Sequence, residues 1–118
     1  MKNVKVFLFN AGEEPKVVEM GDDLHSLQNA VGGYIEAVYP FEDEYFIFCN
    51  EEGKLNGLEP NRNLGDYDVI CGNFIVCKDD GEGGIKDVDE ADLGRIKNEL
   101  PVYDGKRSTD PFMMMMSW

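Results

Sequence analysis

The sequence predicts a small α+β domain: a mostly antiparallel sheet of about five to six strands with two helices packed on one side. Three observations carry this expectation. Runs rich in β-branched and aromatic residues recur, as in "VKVFLF" (4–9), "YIEAVYPF" (34–41), "EYFIFCN" (44–50) and "DVICGNFIVC" (68–77). Only two segments, near 21–33 and 87–101, place apolar residues at helical spacing between helix start and stop signals. The resulting order is β-β-α-β-β-turn-β-β-α.

The first run is apolar at both odd and even positions, as a central strand would be. "NAGEEP" breaks it with Gly12 and Pro15, and "KVVEM" pairs back as a more exposed strand. In "GDDLHSLQNAVGG", Asp22 or Asp23 caps the first turn of a short helix, and Leu24, Leu27 and Val31 share one face. Gly32 and Gly33 stop it, since glycine takes the left-handed conformation freely. "YIEAVYPF" and "EYFIFCN" form a hairpin across "PFED", with Pro40 removing a ladder donor. Gly72-Asn73 interrupts the next run at a bulge or sharp turn, and "DDGEGG" is an acidic loop. In "DVDEADLGRIKNEL", Asp87 or Asp89 caps the second helix, Leu93, Ile96 and Leu100 form its stripe, and Pro101 closes it. Residues 1–100 are read as one domain. Residues 101–118, with four methionines at 113–116, are read as a tail that is disordered or docked, with docking on a second copy one option.

The chain has 118 residues and 42% hydrophobic content, enough for one domain with its own core. Eleven basic residues against 24 acidic ones give a net charge of −13. Direct nucleic-acid binding and attachment to anionic membranes are therefore not expected. No leader-like segment opens the chain and no run approaches the roughly 20 apolar residues that span a bilayer, so a cytoplasmic location is expected. Cys49, Cys71 and Cys77 contain no C-x-x-C pair and read as buried, reduced thiols.

Little in the sequence points to catalysis. The window 79–90 imitates a calcium loop, with glycine sixth and Glu90 twelfth, but Gly81 and Gly83 stand where ligands are needed. His25 is the single histidine, and no phosphate-binding glycine motif opens a helix. No catalytic residue, metal ligand or cofactor is assigned.

The segment "NEEGKLNGLEPNRNL" (50–64) is the candidate binding loop, represented by Asn50, Glu52, Gly53, Lys54, Asn61 and Arg62, with Gly33, Tyr34 and Glu36 in support. It reads as two turns, with Gly53 at positive φ, Leu55 and Leu58 as anchors, and Arg62 bracing the loop against nearby acids or clamping a ligand carboxylate.

These residues carry a resemblance. Leu27, Gln28, Val31, Gly32, Gly33, Tyr34, Ile35 and Glu36, then Asn50, Glu51, Glu52, Gly53, Lys54, Leu58 and Asn61, then Asp68, Ile70 and Gly72 fit a pattern in that order. It resembles the uncharacterised domain of unknown function 3846, found in phages and conjugative elements of gut bacteria. The resemblance implies a cytosolic accessory protein of a mobile element and no particular activity. Two functions follow as expectations. The first is a non-enzymatic module binding an unidentified protein partner through its acidic surface and the 50–64 loop. The second is a polar-ligand binder or enzyme in which Arg62, Asn61 and Asn50 converge in a pocket walled by Tyr34, Tyr39 or Tyr67.

Overall fold

The computed structural model describes residues 2–65 and 68–105. It is an α+β fold with a six-stranded antiparallel sheet, as the sequence predicts. The strands are β1 (Asn3–Phe9), β2 (Lys16–Gly21), β3 (Ile35–Val38), β4 (Tyr45–Asn50), β5 (Pro60–Leu64), β6 (Asp68–Cys71), β7 (Phe74–Asp79) and β8 (Ile85–Lys86). The helices are α1 (Leu24–Val31) and α2 (Leu93–Glu99), the latter preceded by a 3-10 turn at Glu90–Asp92. The main sheet runs β2-β1-β7-β4-β3. β8 takes the edge of β7 at Lys78 and Asp79, beyond the Val76 rung where β1 leaves it.

The expectation that both helices lie on one side is corrected. The central strands alternate between two cores. Phe7, Phe9, Tyr45, Ile47, Phe74 and Val76 project toward α2, which contributes Ile96, while Leu100 follows just after it. Val4, Val6, Phe46, Ile75 and Cys77 project toward α1, which contributes Leu27. β1, β4 and β7 are apolar at both parities because both their faces are covered. Phe9 and Phe74, paired across β1 and β7, stack with ring centroids 4.8 Å apart. Such a contact adds about 0.5–1.5 kcal/mol beyond the area it buries.

Capping follows the sequence at α1. The Asp23 carboxylate accepts from the Ser26 amide at 3.2 Å, and Gly32 closes the helix at φ 79°. Asp89 caps the 3-10 turn through the Ala91 amide. Asp92 accepts instead from the Tyr45 hydroxyl at 2.6 Å and ties the start of α2 to β4. The acidic loop before β8 spends its carboxylates on its own turn: Asp80 accepts from the Glu82 and Gly84 amides.

The largest departure lies between 58 and 71. Residues 60–64, expected to lie in a loop, form β5, which pairs with β6 in a separate two-stranded sheet. The chain then turns at Gly72, with φ 87°, and enters the main sheet as β7. Beyond α2 the chain stays attached: the Asn63 amide donates to the Pro101 carbonyl and the Tyr103 amide to that of Asn61. Residues 101–103 thus run along the outer edge of β5, with Val102 bridging Arg62. The tail from 106 onward, including the methionines, lies outside the described residues.

Candidate functional site

The 50–64 segment divides into two halves with different work. Asn61, Arg62 and Asn63 are buried on β5. The Asn61 amide nitrogen donates to the carbonyls of Phe9 and Gly72, both at 2.9 Å. Arg62 donates to the Asn61 side-chain oxygen at 2.8 Å, to the Asn61 carbonyl at 3.1 Å and to the Glu13 carbonyl at 3.1 Å. Its guanidinium lies over the Phe9 ring, 5.4 Å from the centroid. Burial lowers its pKa, and Glu14 opposes that shift. Arg62 therefore braces main-chain carbonyls. Its hydrogen bonds run to the Asn61 side chain and to carbonyls, and Glu14 acts on it only through its charge, where the sequence suggests direct bracing against acids.

Glycines and asparagines lock the surrounding backbone. A Cβ on Gly53 would sit 2.5 Å from the Cys71 carbonyl oxygen. That close approach, with no positive φ, is the reason for glycine at this turn; the positive φ falls on Gly57. A Cβ on Gly33 would meet the Asn50 amide at 2.9 Å. The Asn50 side chain is itself used up: it donates to the Val31 carbonyl at 3.2 Å and accepts from the Glu52 amide at 2.8 Å. Leu58 packs under Gly72, whereas Leu55, the other expected anchor, is 65% exposed.

The first half of the segment borders a cleft of about 430 Å³. Glu36 and Val38 of β3 and Cys49 of β4 form one wall, residues 51–55 the rim, and residues 68–71 of β6 the other wall. Glu36, Glu51 and Glu52 are exposed around it. Lys54, the single basic residue of the lining among the described residues, is paired with Asp68 and largely withdrawn from solvent. Asp68 also accepts from its neighbour's amide, Val69, at 2.7 Å. Four carboxylates thus face one lysine whose charge is already matched.

The cleft's thiols are poor nucleophiles. Burial pushes Cys49 up to about 12, with Glu36 and Asp68 adding to the shift. Burial also raises Cys71, with Lys54 pulling against it. His25 lies on α1, exposed and beside Asn29. Among the described residues, no three His, Cys, Asp or Glu side chains gather where they could hold a metal ion, and no helix is long and apolar enough to cross a membrane.

Of the residues singled out by sequence, Glu36, Asn50, Glu52, Gly53 and Lys54 come together at the cleft. Asn61 and Arg62 are drawn away into the join between β5, β1 and the 10–14 loop, and Gly33 sits behind Asn50. Tyr34 is 69% exposed and lines none of this cleft. Tyr39 borders a neighbouring hollow, and Tyr67 lies outside the described residues. Asp68, present in the family pattern but absent from the candidate-site residues, also lines the cleft. Its signal was an acid at the head of a strand-like run, fourteen residues after Lys54.

The sequence model of the family described as Domain of unknown function (DUF3846) matches residues 2–100. The chain belongs to this family. The matched span contains both halves of the 50–64 segment, the whole main sheet and α2. No curated protein and no solved structure matches the chain.

Proposed function

We propose that this DUF3846 member is a non-enzymatic interaction module whose cleft beside β3 receives a basic segment of a protein partner. The carrying observation is the cleft itself: about 430 Å³, rimmed by Glu36, Glu51, Glu52 and Asp68, with Lys54 already neutralised by Asp68. With Lys54 and Asp68 cancelling, Glu36, Glu51 and Glu52 remain uncompensated within the described lining, and such a cluster on a chain of net charge −13 attracts cations and repels phosphates. Raised thiol pKa values and a histidine far from the cleft argue against nucleophilic chemistry there. A cytoplasmic role as an accessory protein of a mobile element is part of the proposal and rests on the resemblance in the sequence alone.

The test is capture of partners on the immobilised protein at low and high salt, repeated with the Glu36→Gln, Glu52→Gln double variant. Expected is a partner that is retained at low salt, released as salt rises, and held more weakly by the variant. Retention indifferent to both salt and variant overturns the reading. The second reading, a small polar ligand, draws on the volume of the cleft. It fits a small amine better than an anion, because Arg62, Asn61 and Asn50 spend their polar groups inside the fold.

A further inference from the structure

β3 is the outer strand of the main sheet and, among the described residues, pairs with β4 alone. The Glu51 amide donates to the Tyr34 carbonyl at 2.9 Å. In an antiparallel ladder this marks Tyr34, Glu36 and Val38 as positions whose main-chain groups turn toward β4. The N–H and C=O groups of Ile35 and Ala37 therefore point outward. Such a row of groups is a template for another strand, and proteins commonly blunt it with charge. β2, at the opposite edge, carries Lys16 and Glu19. The outward-pairing positions of β3 are an isoleucine and an exposed alanine.

Two hollows lie in line on the β5–β6 side of this edge. The acidic cleft is at the Glu36 end. The second, also about 430 Å³, lies past Val38 between Pro40, Phe41 and Leu64. Val38 and Leu64 line both. Val38 packs with the α2-side core and Ile35 with the α1-side core, so Glu36 and Val38 share the face that carries the hollows.

We propose that β3 receives an extended segment of a protein partner as an added antiparallel strand, reading apolar, any residue, basic. The proposal rests on the interaction-module reading and gives it a register. The middle residue exchanges two main-chain hydrogen bonds with Ala37. The residue before it stands opposite Val38 and places an apolar side chain against Phe41 and Leu64. The residue after it stands opposite Glu36 and places lysine or arginine among Glu36, Glu52 and Asp68. Alternate side chains of an added strand enter pockets on one face in this way, while the main chain supplies the pairing.

The test uses the full chain and the peptide Ac-Thr-Leu-Thr-Arg-Thr-NH2, followed by amide NMR and hydrogen exchange. Saturable binding is expected, with exchange protection gained at the Ile35 and Ala37 amides. The same peptide N-methylated at its central threonine keeps every side chain but loses the main-chain donor, and should bind at least tenfold more weakly. Glu36→Gln should weaken the parent peptide about threefold and flatten its salt dependence. If the methylated peptide binds as well as the parent, while an arginine-to-glutamate peptide does not bind, strand addition is overturned and the charged-cleft reading survives. If the parent peptide does not bind, strand addition is overturned, and the salt-dependent capture experiment decides the wider reading separately. Protection at Ile35 and Ala37 that exists before peptide is added and fades on dilution identifies a second copy as the occupant, and also overturns the proposal.

Discussion

Residues 51–57 and residues 60–64 belong to one continuous stretch of sequence, yet the fold uses them in opposite ways. In the second half, the Asn61 and Arg62 side chains are buried and their hydrogen bonds end inside the protein, on the carbonyls of Phe9, Gly72, Glu13 and Asn61. In the first half, Glu51, Glu52 and Leu55 are exposed, and Lys54 and Asp68 pair at the wall of a cleft. A run rich in asparagine and charge thus holds two kinds of residue that composition does not separate. One kind fastens the β5–β6 hairpin to β1; the other is left free to meet something else. The difference teaches that a polar motif is assigned a role by where its hydrogen bonds end.

The sharpest way to break this comparison is at Asn61. Asn61→Leu keeps the approximate shape but strips two buried carbonyls of their donor and removes an acceptor from Arg62. Each unsatisfied buried group costs about 1–3 kcal/mol, so a loss of about 4 kcal/mol is expected. Urea unfolding measures it, and a loss under 1 kcal/mol would show that the hairpin is not fastened there. A second large effect comes from thiol burial and is read through pH; Cys49 at the cleft shares it with Cys77 in the sealed core. Cys77, wholly buried on the α1 side, has its thiol pushed by burial from 9.0 to about 12. The folded state therefore favours the neutral thiol. The Cys77 contribution is constant below pH 9 and is lost between pH 9 and 12, as the unfolded chain ionises before the folded one. The Tyr45 hydroxyl, raised to about 12 by burial and by Asp92, adds to the loss above pH 10. Unfolding curves of the parent and of Cys77→Ala between pH 8 and 11 check this: the variant should lose less of its own neutral-pH stability.

How far the sequence exposes this arrangement can be judged residue by residue. β1, β3, β4 and α1 follow from strand formers, Asp23 and Gly32, because local propensity and tertiary packing agree there. β5 does not. Pro60, Asn61, Arg62 and Asn63 are weak strand formers and carry turn signals, and only long-range bonds to Phe9, Glu13 and Pro101 hold them extended. No local rule contains such bonds. The placement of the helices on opposite faces had a legible cue, the double-sided apolar pattern of "VKVFLF", which a one-sided arrangement leaves unexplained. For the candidate site, the sequence singled out Glu36, Asn50, Glu52, Gly53 and Lys54, which the fold gathers around one cleft. It could not say that Asn61 and Arg62 face inward or that Asp68 completes the cleft, since both depend on how β5 and β6 pair.

Gly53 lies at the seam between the two halves and tests whether they depend on each other. Alanine there drives a Cβ against the Cys71 carbonyl, which is main chain and cannot swing aside. Overpacking of this kind costs about 1–3 kcal/mol. The expected result is a loss of about 2 kcal/mol in urea unfolding, together with a reshaped cleft, since residues 51–55 must lift away from β6. Gly57→Ala is the contrast. It also strains a turn, at φ 68°, but nothing lies near its Cβ. It should cost about 1 kcal/mol and leave binding of a basic peptide unchanged.

The smallest effect on stability is expected at Glu52, and this makes it the most informative about the free half. The side chain is exposed; the main chain is engaged, the amide by the Asn50 side chain and the carbonyl by the Asn56 amide. Glu52→Gln keeps both and removes one negative charge from the cleft rim. Substitutions at such surface positions stay within about 0.5 kcal/mol. The unfolding midpoint should therefore be unmoved, while affinity for a basic peptide falls and its salt dependence becomes shallower. Asn61→Leu should show the reverse when assayed below its unfolding transition: a large stability loss with peptide affinity retained by the folded fraction. If Glu52→Gln changes stability as much as it changes binding, the division of the 50–64 segment into a fastening half and a free half fails. Then the carboxylates of the cleft belong to the fold's own electrostatics, and the surface that meets a partner lies elsewhere.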